Sequence, residues 1–265
     1  MIIAVAGGLI IGMLVGALGG GGAILGVPLL VYGAGQDSQQ ATLSSLVIVV
    51  AAALAGLVMQ HRNGAVNYRT GLIFGVLGSV GALAGTLLNG KISEPLLLTC
   101  FSILLVVVAV LTFLKARNSS SDANPETADG DEAGHELKNR LPMLVVTATA
   151  VGFLTGLFGV GGGFVIVPAL TIVLGVSMRV AVGTALVVIA INSVVTMVFR
   201  YQELSTIEWG TLWPIVVLTV LGALGGAFIN KCVSQSALQL GFAVLLCGVA
   251  VFIAVQNVPE LPLFN

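Results

Sequence analysis

Two clusters of glycine interrupt apolar sequence in a way that suits anion binding without a charged side chain. Gly19, Gly20, Gly21 and Gly22 form the first, and Gly159, Gly161, Gly162 and Gly163 the second. A backbone group without a partner is costly in hydrocarbon, so such a break needs a polar cavity or packed protein around it. Glycine admits unusual dihedrals and leaves its N–H uncovered, and a half-helix starting after the break turns its positive dipole end outward. Two such ends meeting near the midplane would hold an oxyanion. Pro28 and Pro168, half a helix further on, are placed to kink or loosen the same elements.

Hydroxyls and amides can also coordinate an oxyanion, and they cost far less to bury than a charge. Thr42, Ser44 and Ser45 begin one apolar helix, and Thr184 holds the matching place in another. Asn192 and Thr196 share one helix face. A lone Ser or Thr more often bonds its own helix carbonyl. An amide at Asn192 needs a partner, either in a site or on a neighbouring helix. Arg62 and Arg69 read as topology anchors, and Asp37 and Arg179 as solvated loop residues heading equivalent helices. Cys100, Cys232 and Cys247 are too widely spaced for a disulfide framework and read as small core residues. No metal site, cofactor or catalytic residue is expected, because only thiols and hydroxyls lie at depth.

The elements that must position these groups follow from composition. Of 265 residues 57% are hydrophobic and only 8% charged, which excludes a soluble domain. Charges are confined to short gaps, and eight charge-free runs can each hold a spanning helix of about 20 residues. The first run has no charged leader region and continues past any cleavage point, so it reads as structure. A net charge of −1 leaves no basic face for nucleic acid.

The runs fall into two copies. Gly12, Gly16, Gly19, Gly21, Gly22 and Pro28 recur as Gly152, Gly156, Gly159, Gly161, Gly162 and Pro168, at a constant offset of 140 residues. One residue out of step, Gly81 and Gly85 recur as Gly222 and Gly226. The expected organisation is repeat one over 1–114, a flexible polar linker over 115–141, repeat two over 142–257 and a tail over 258–265. Lys115, Arg117, Lys138 and Arg140 flank the linker, as in a cytoplasmic loop. The fold class is therefore an all-α integral membrane protein, a polytopic helical bundle of two homologous repeats whose Gly-broken helices meet near the midplane.

Repeat symmetry depends on the first broken segment. If it returns to its starting side, the copies are inverted, and Arg62, Arg69, Arg179 and Lys231 share the linker side. If it crosses once, the copies are parallel and Arg179 and Lys231 face away from Arg62 and Arg69. Helix length favours inversion.

The paired GxLxGxxGxGG…VP signature, each followed by an Ala-x-x-Thr/Ser-x-Leu helix, resembles the TauE/SafE family of membrane permeases, the sulfite exporters. The resemblance covers nearly the whole chain apart from the linker and the last residues. It implies secondary transport of a small sulfur-containing anion, such as sulfite or a sulfonate, across a bacterial or archaeal inner membrane. One departure is that Leu43, Ser44 and Ser45 stand where the second copy has Gly183, Thr184 and Ala185. The implied mechanism is alternating access, with a passive anion channel as the alternative. Neither glycine cluster continues as an ATP-binding loop, so a gradient must supply the energy. The expected partners are the anion and the lipid bilayer, and a homo-oligomer is compatible with this reading. Gly12, Gly16, Gly152 and Gly156 read as helix-packing positions, and Gly12→Ala should harm substrate binding and transport less than Gly21→Ala or Gly161→Ala.

Overall fold

The computed structural model describes residues 2–89, 94–118, 133–158 and 163–257. Every regular element among them is helical. Helix α1 (Ile2–Leu18) is 17 residues long, about 25 Å at ~1.5 Å per residue. It closes with the Gly19 N–H bonded to the Val15 carbonyl at 2.8 Å. Gly19 and Gly20 then take φ of +69° and +117°, a region that side-chain-bearing residues avoid, and the chain reverses.

The segment after the reversal lies back along α1. It comprises a 3-10 turn (Gly21–Leu25), a single helical turn α2 (Gly26–Pro28) and a π turn (Leu29–Gly33). Gly22 sits against the Ile11 carbonyl and Val15, and Leu29 packs over Gly7, so the segment climbs toward the end where α1 began. The π turn starts directly after Pro28, whose ring removes a donor and crowds the carbonyl four residues earlier. The second half repeats this sequence: α7 (Gly163–Pro168) runs into a π turn (Ala169–Val173). Gly35 and Gly175 end the two segments with the same φ of +69°. The kink expected at each proline is thus a change to π-helical hydrogen bonding.

The long helices are α3 (Ser38–Arg62), α4 (Tyr68–Asn89) and α5 (Glu94–Asn118), then α6 (Ala133–Phe158), α8 (Met178–Phe199), α9 (Trp209–Cys232) and α10 (Gln235–Asn257). Asn67 caps α4, its side-chain oxygen accepting the Thr70 N–H at 3.0 Å. Helices α5 and α6 extend into both ends of the stretch read as a linker, and residues 119–132 lie outside the described residues.

Four helical stretches, Gln40–Arg62, Tyr68–Leu88, Met178–Phe199 and Trp209–Cys232, are long and apolar enough to cross a membrane among the described residues. Their outward faces are apolar. Leu72, Val76, Val80, Leu83 and Leu87 are exposed along α4, as are Trp213, Val217, Leu221 and Phe228 along α9. Such faces suit lipid. Cys100, Cys232 and Cys247 are exposed as well, which corrects their assignment to the core.

Helix α1 packs along α9, and α6 along α4; α5 pairs with α10 and α3 with α8, while α3 also meets α9 and α4 meets α8. Glycines permit the closest of these approaches. A methyl on Gly12, Gly16, Gly222 or Gly226 would fall on the carbonyl of Thr219, Ala223, Leu9 or Met13 across the α1–α9 crossing. At the α4–α6 crossing, Gly152, Gly156, Gly81 and Gly85 face the carbonyls of Gly78, Ala82, Thr149 and Phe153 in the same way. Backbone meets backbone at both crossings, as small-residue membrane packing requires. Helix α8 lies deepest, with every residue from Ala181 to Ala190 buried. Together these features describe a multi-pass helical membrane protein.

Candidate functional site

The two broken segments meet. A Cβ built on Gly20 would lie 2.7 Å from the Gly163 Cα, and one on Gly163 would lie 2.8 Å from the Gly20 Cα. Ile189 of α8 covers both, its Cδ1 2.5 and 2.8 Å from those positions. A Cβ built on Gly19 would lie 2.8 Å from the Val182 Cα. A Cβ built on Gly21 would meet Leu245 and Phe242 of α10 at 2.8 and 3.2 Å. The surroundings of the first cluster are therefore hydrocarbon and main chain, and its polarity is that of the backbone. Ala23 supplies the first internal donor of the 3-10 turn, to the Gly20 carbonyl at 3.0 Å. The N–H groups of Gly21 and Gly22 precede it, at the positive end of that turn. Gly159, Gly161 and Gly162 lie outside the described residues, and Gly163 alone represents the second cluster.

The polar residues expected to help divide into several groups. The Ser45 hydroxyl donates to the Thr42 carbonyl at 2.7 Å, and Thr196 donates to the Asn192 carbonyl at 2.8 Å. Both follow the ordinary habit of helical hydroxyls. Thr196 is exposed while Asn192 is 7% exposed, so the two do not line one buried face. The Asn192 side-chain oxygen accepts from Ser79 of α4 at 2.9 Å, an interhelical bond. Thr184 is buried and accepts the Asn67 N–H at 3.1 Å, tying the start of α4 to α8. Ser44 is fully buried, and its hydroxyl has no hydrogen-bond partner. The structure thus brings Gly20 and Gly163 together but distributes Ser45, Asn192 and Thr196 to other bonds.

Two buried glutamines escape notice in the sequence. Gln60 is 0% exposed and Gln36 is 7% exposed, and neither side-chain amide has a partner at either atom. Gln60 precedes His61 and Arg62, and so reads as the polar end of a span; only its spacing of four from Gly56 signals the packed face. Among the described residues no three His, Cys, Asp or Glu side chains gather to hold a metal. An apolar groove of about 250 Å³ runs between α3, α8 and α9, lined by Val47, Leu54, Met197, Trp209 and Trp213 among others. It offers an anion nothing.

The sequence model of the sulfite exporter TauE/SafE family matches residues 4–253. The chain belongs to that family. A probable membrane transporter protein of Xylella fastidiosa is 28% identical to this TauE/SafE chain over 96% of it and 94% of the relative. One from Bacillus subtilis is 26% identical over 90% and 92% of the two chains. Another, from Methanocaldococcus jannaschii, is 32% identical over 43% of this chain and 45% of its own. No solved structure matches. With the apolar helices described above, membership identifies this TauE/SafE protein as a membrane transporter.

Proposed function

We propose that the protein is a secondary transporter of small sulfur-containing anions, sulfite or a sulfonate, working by alternating access in a bacterial or archaeal inner membrane. The two halves are inverted copies, and the anion is held where their Gly-broken segments meet. The observation that carries this reading is the backbone contact between Gly20 and Gly163, flanked by the deepest helix of the fold.

Inversion is supported by three features. The segment after Gly20 runs back along α1, so each half makes an odd number of passes. Exchanging the halves converts α1–α9 into α6–α4 and α3–α9 into α8–α4, while α3–α8 and α5–α10 map onto themselves. In the self-paired α3–α8 contact the helices are antiparallel. Gly56 faces Leu186, Ala65 just past α3 faces Gly183 near the start of α8, and Val47, Val50 and Ala51 line a groove with Met197 near its end. A two-fold axis along the membrane normal would make a self-paired contact parallel, whereas one in the membrane plane makes it antiparallel. The same contact sets Arg62 and Arg179 at one end of the bundle, and Arg179 bonds the carbonyls of Lys231 and Val233 at 3.2 and 3.0 Å. These cations then share the linker side, which the positive-inside rule makes cytoplasmic.

The test is uptake into proteoliposomes, comparing sulfite, sulfate, thiosulfate, taurine and sulfoacetate under imposed pH and voltage gradients. Saturable flux accelerated by counter-substrate on the far side is expected. Non-saturating current proportional to driving force would replace the transporter with an anion channel.

A further inference from the structure

We infer that the side-chain amide of Gln60 donates hydrogen bonds to the transported anion, at the linker-side edge of the glycine break. This rests on the transport reading above and adds to it a specific binding side chain. Gln60 lies in the last turn of α3 and is 0% exposed, yet neither its Nε2 nor its Oε1 has a hydrogen-bond partner. An amide held from water in this way costs free energy at both atoms, and such a residue is retained where a ligand completes its bonding.

Its neighbours locate that ligand. A Cβ on Gly56, one turn earlier on the same face of α3, would lie 3.7 Å from the Gly16 Cα of α1. The two helices run in the same direction. Gly26, on the returning segment beside the early part of α1, meets Ser45, whereas Gly16 near the end of α1 meets Gly56. One further turn along α3 carries Gln60 to the level at which α1 ends and the glycine break begins. Val182 closes the same place from α8, lying against Gly19, and Gly183 lies against Ala65 just beyond Gln60. A buried, unpartnered amide thus stands at the level of the glycine break.

The chemistry suits an oxyanion. Nε2 carries two N–H donors and no charge, so it contributes to binding an anion while permitting its release. Under the inverted relation the place equivalent to Gln60 is Arg200, again a donor of N–H bonds. The two ends of the pathway then differ in charge but agree in hydrogen-bond polarity.

The experiment measures binding of sulfite, sulfate, thiosulfate, taurine and sulfoacetate to full-length protein in nanodiscs, by ligand-induced melting shift and by calorimetry. Gln60→Leu and Gln60→Met keep the volume and remove the amide. Each should melt at or above the wild-type temperature without ligand, and should lose affinity by about tenfold or more. Gln60→Glu should bind still more weakly, because its carboxylate repels the anion. Gln36→Leu, at the other end of the returning segment, should bind as the wild type does. Wild-type affinity in Gln60→Leu and Gln60→Met would overturn the inference, and so would failure of both to fold, which would show the amide to be structural. An equal loss in Gln36→Leu would overturn its locality. If the wild type itself binds none of these five sulfur compounds, the transport reading fails first and this inference with it.

Discussion

Replacing Gly12 by alanine tests the helix crossings most directly, and for stability the structure makes it a more costly change than Gly21→Ala. Gly12 and Gly21 are both buried, but a methyl at Gly21 meets the end of the Leu245 side chain at 2.8 Å, which a rotamer change can move. At Gly12 the methyl falls on the Thr219 carbonyl, with the Ala223 nitrogen 2.9 Å away, and neither can yield without parting α1 from α9. Overpacking of this kind costs about 1–3 kcal/mol, with the upper part of that range expected where both sides are backbone. Alanine returns about 0.5–1 kcal/mol through its better helix propensity, leaving a net loss near 2 kcal/mol. The melting temperature should fall by roughly 5 °C or more. Gly225, on the same helix as Thr219 but with nothing within 4 Å of its Cβ position, supplies a control of opposite sign. Gly225→Ala should melt at the wild-type temperature or slightly above it. Thermal unfolding in detergent, followed by fluorescence-detected size exclusion, gives both values. Equal melting temperatures for Gly12→Ala and Gly225→Ala would refute the close backbone contact.

Gly152→Ala, which meets the Gly78 carbonyl at the equivalent crossing, should cost about as much as Gly12→Ala in the same assay. Gly20→Ala should be worse than either for transport, because φ of +117° strains any side chain by about 1–2 kcal/mol and the methyl also strikes Gly163. Asn230→Leu should lower stability by about 1 kcal/mol, read by thermal unfolding, since it removes the 2.7 Å bond from the Asn230 amide to the Ala17 carbonyl across α9 and α1. With the three native cysteines replaced by alanine, Arg62→Cys and Arg179→Cys should react with an impermeant thiol reagent from the same face of the membrane. Reaction from opposite faces would require parallel repeats.

Much of the architecture could be read from residue spacing. Glycine and proline mark backbone geometry rather than chemistry, so Gly19, Gly20, Pro28 and Pro168 announce a broken and distorted helix, whereas the choice between reversal and a single crossing stays open in the sequence. Contacts between distant helices could not be read in the same way. Spacing identifies Gly12 and Gly16 as small-residue positions, but only the fold reveals that Thr219 and Ala223 oppose them, and hence that an added methyl meets immovable atoms. Polar side chains were the least legible. Asn192 was open between a site and a neighbouring helix, and the nearness of Ser79 decides the bond it makes. Gln60 resembled an interfacial residue because sequence places it beside His61 and Arg62, whereas the turn after α3 folds over it and removes it from water.

The docking of α1 on α9 has a consequence for biosynthesis. The groove that receives Gly12 and Gly16 is made by Thr219 and Ala223, which leave the ribosome roughly 200 residues later, or about 10–40 s at ordinary rates of synthesis. During that interval α1 can settle against its own returning segment and α3, while the ridge that will meet α9 faces lipid or the insertion machinery. The α4–α6 crossing forms far sooner, because its partners are separated mainly by α5 and the linker. The chain therefore closes from the middle outward, and its first helix is among the last to find its place. A truncation before α9 would leave the α9-facing ridge of α1 uncovered, so quality control that recognises exposed small-residue ridges would act on this protein late in its synthesis.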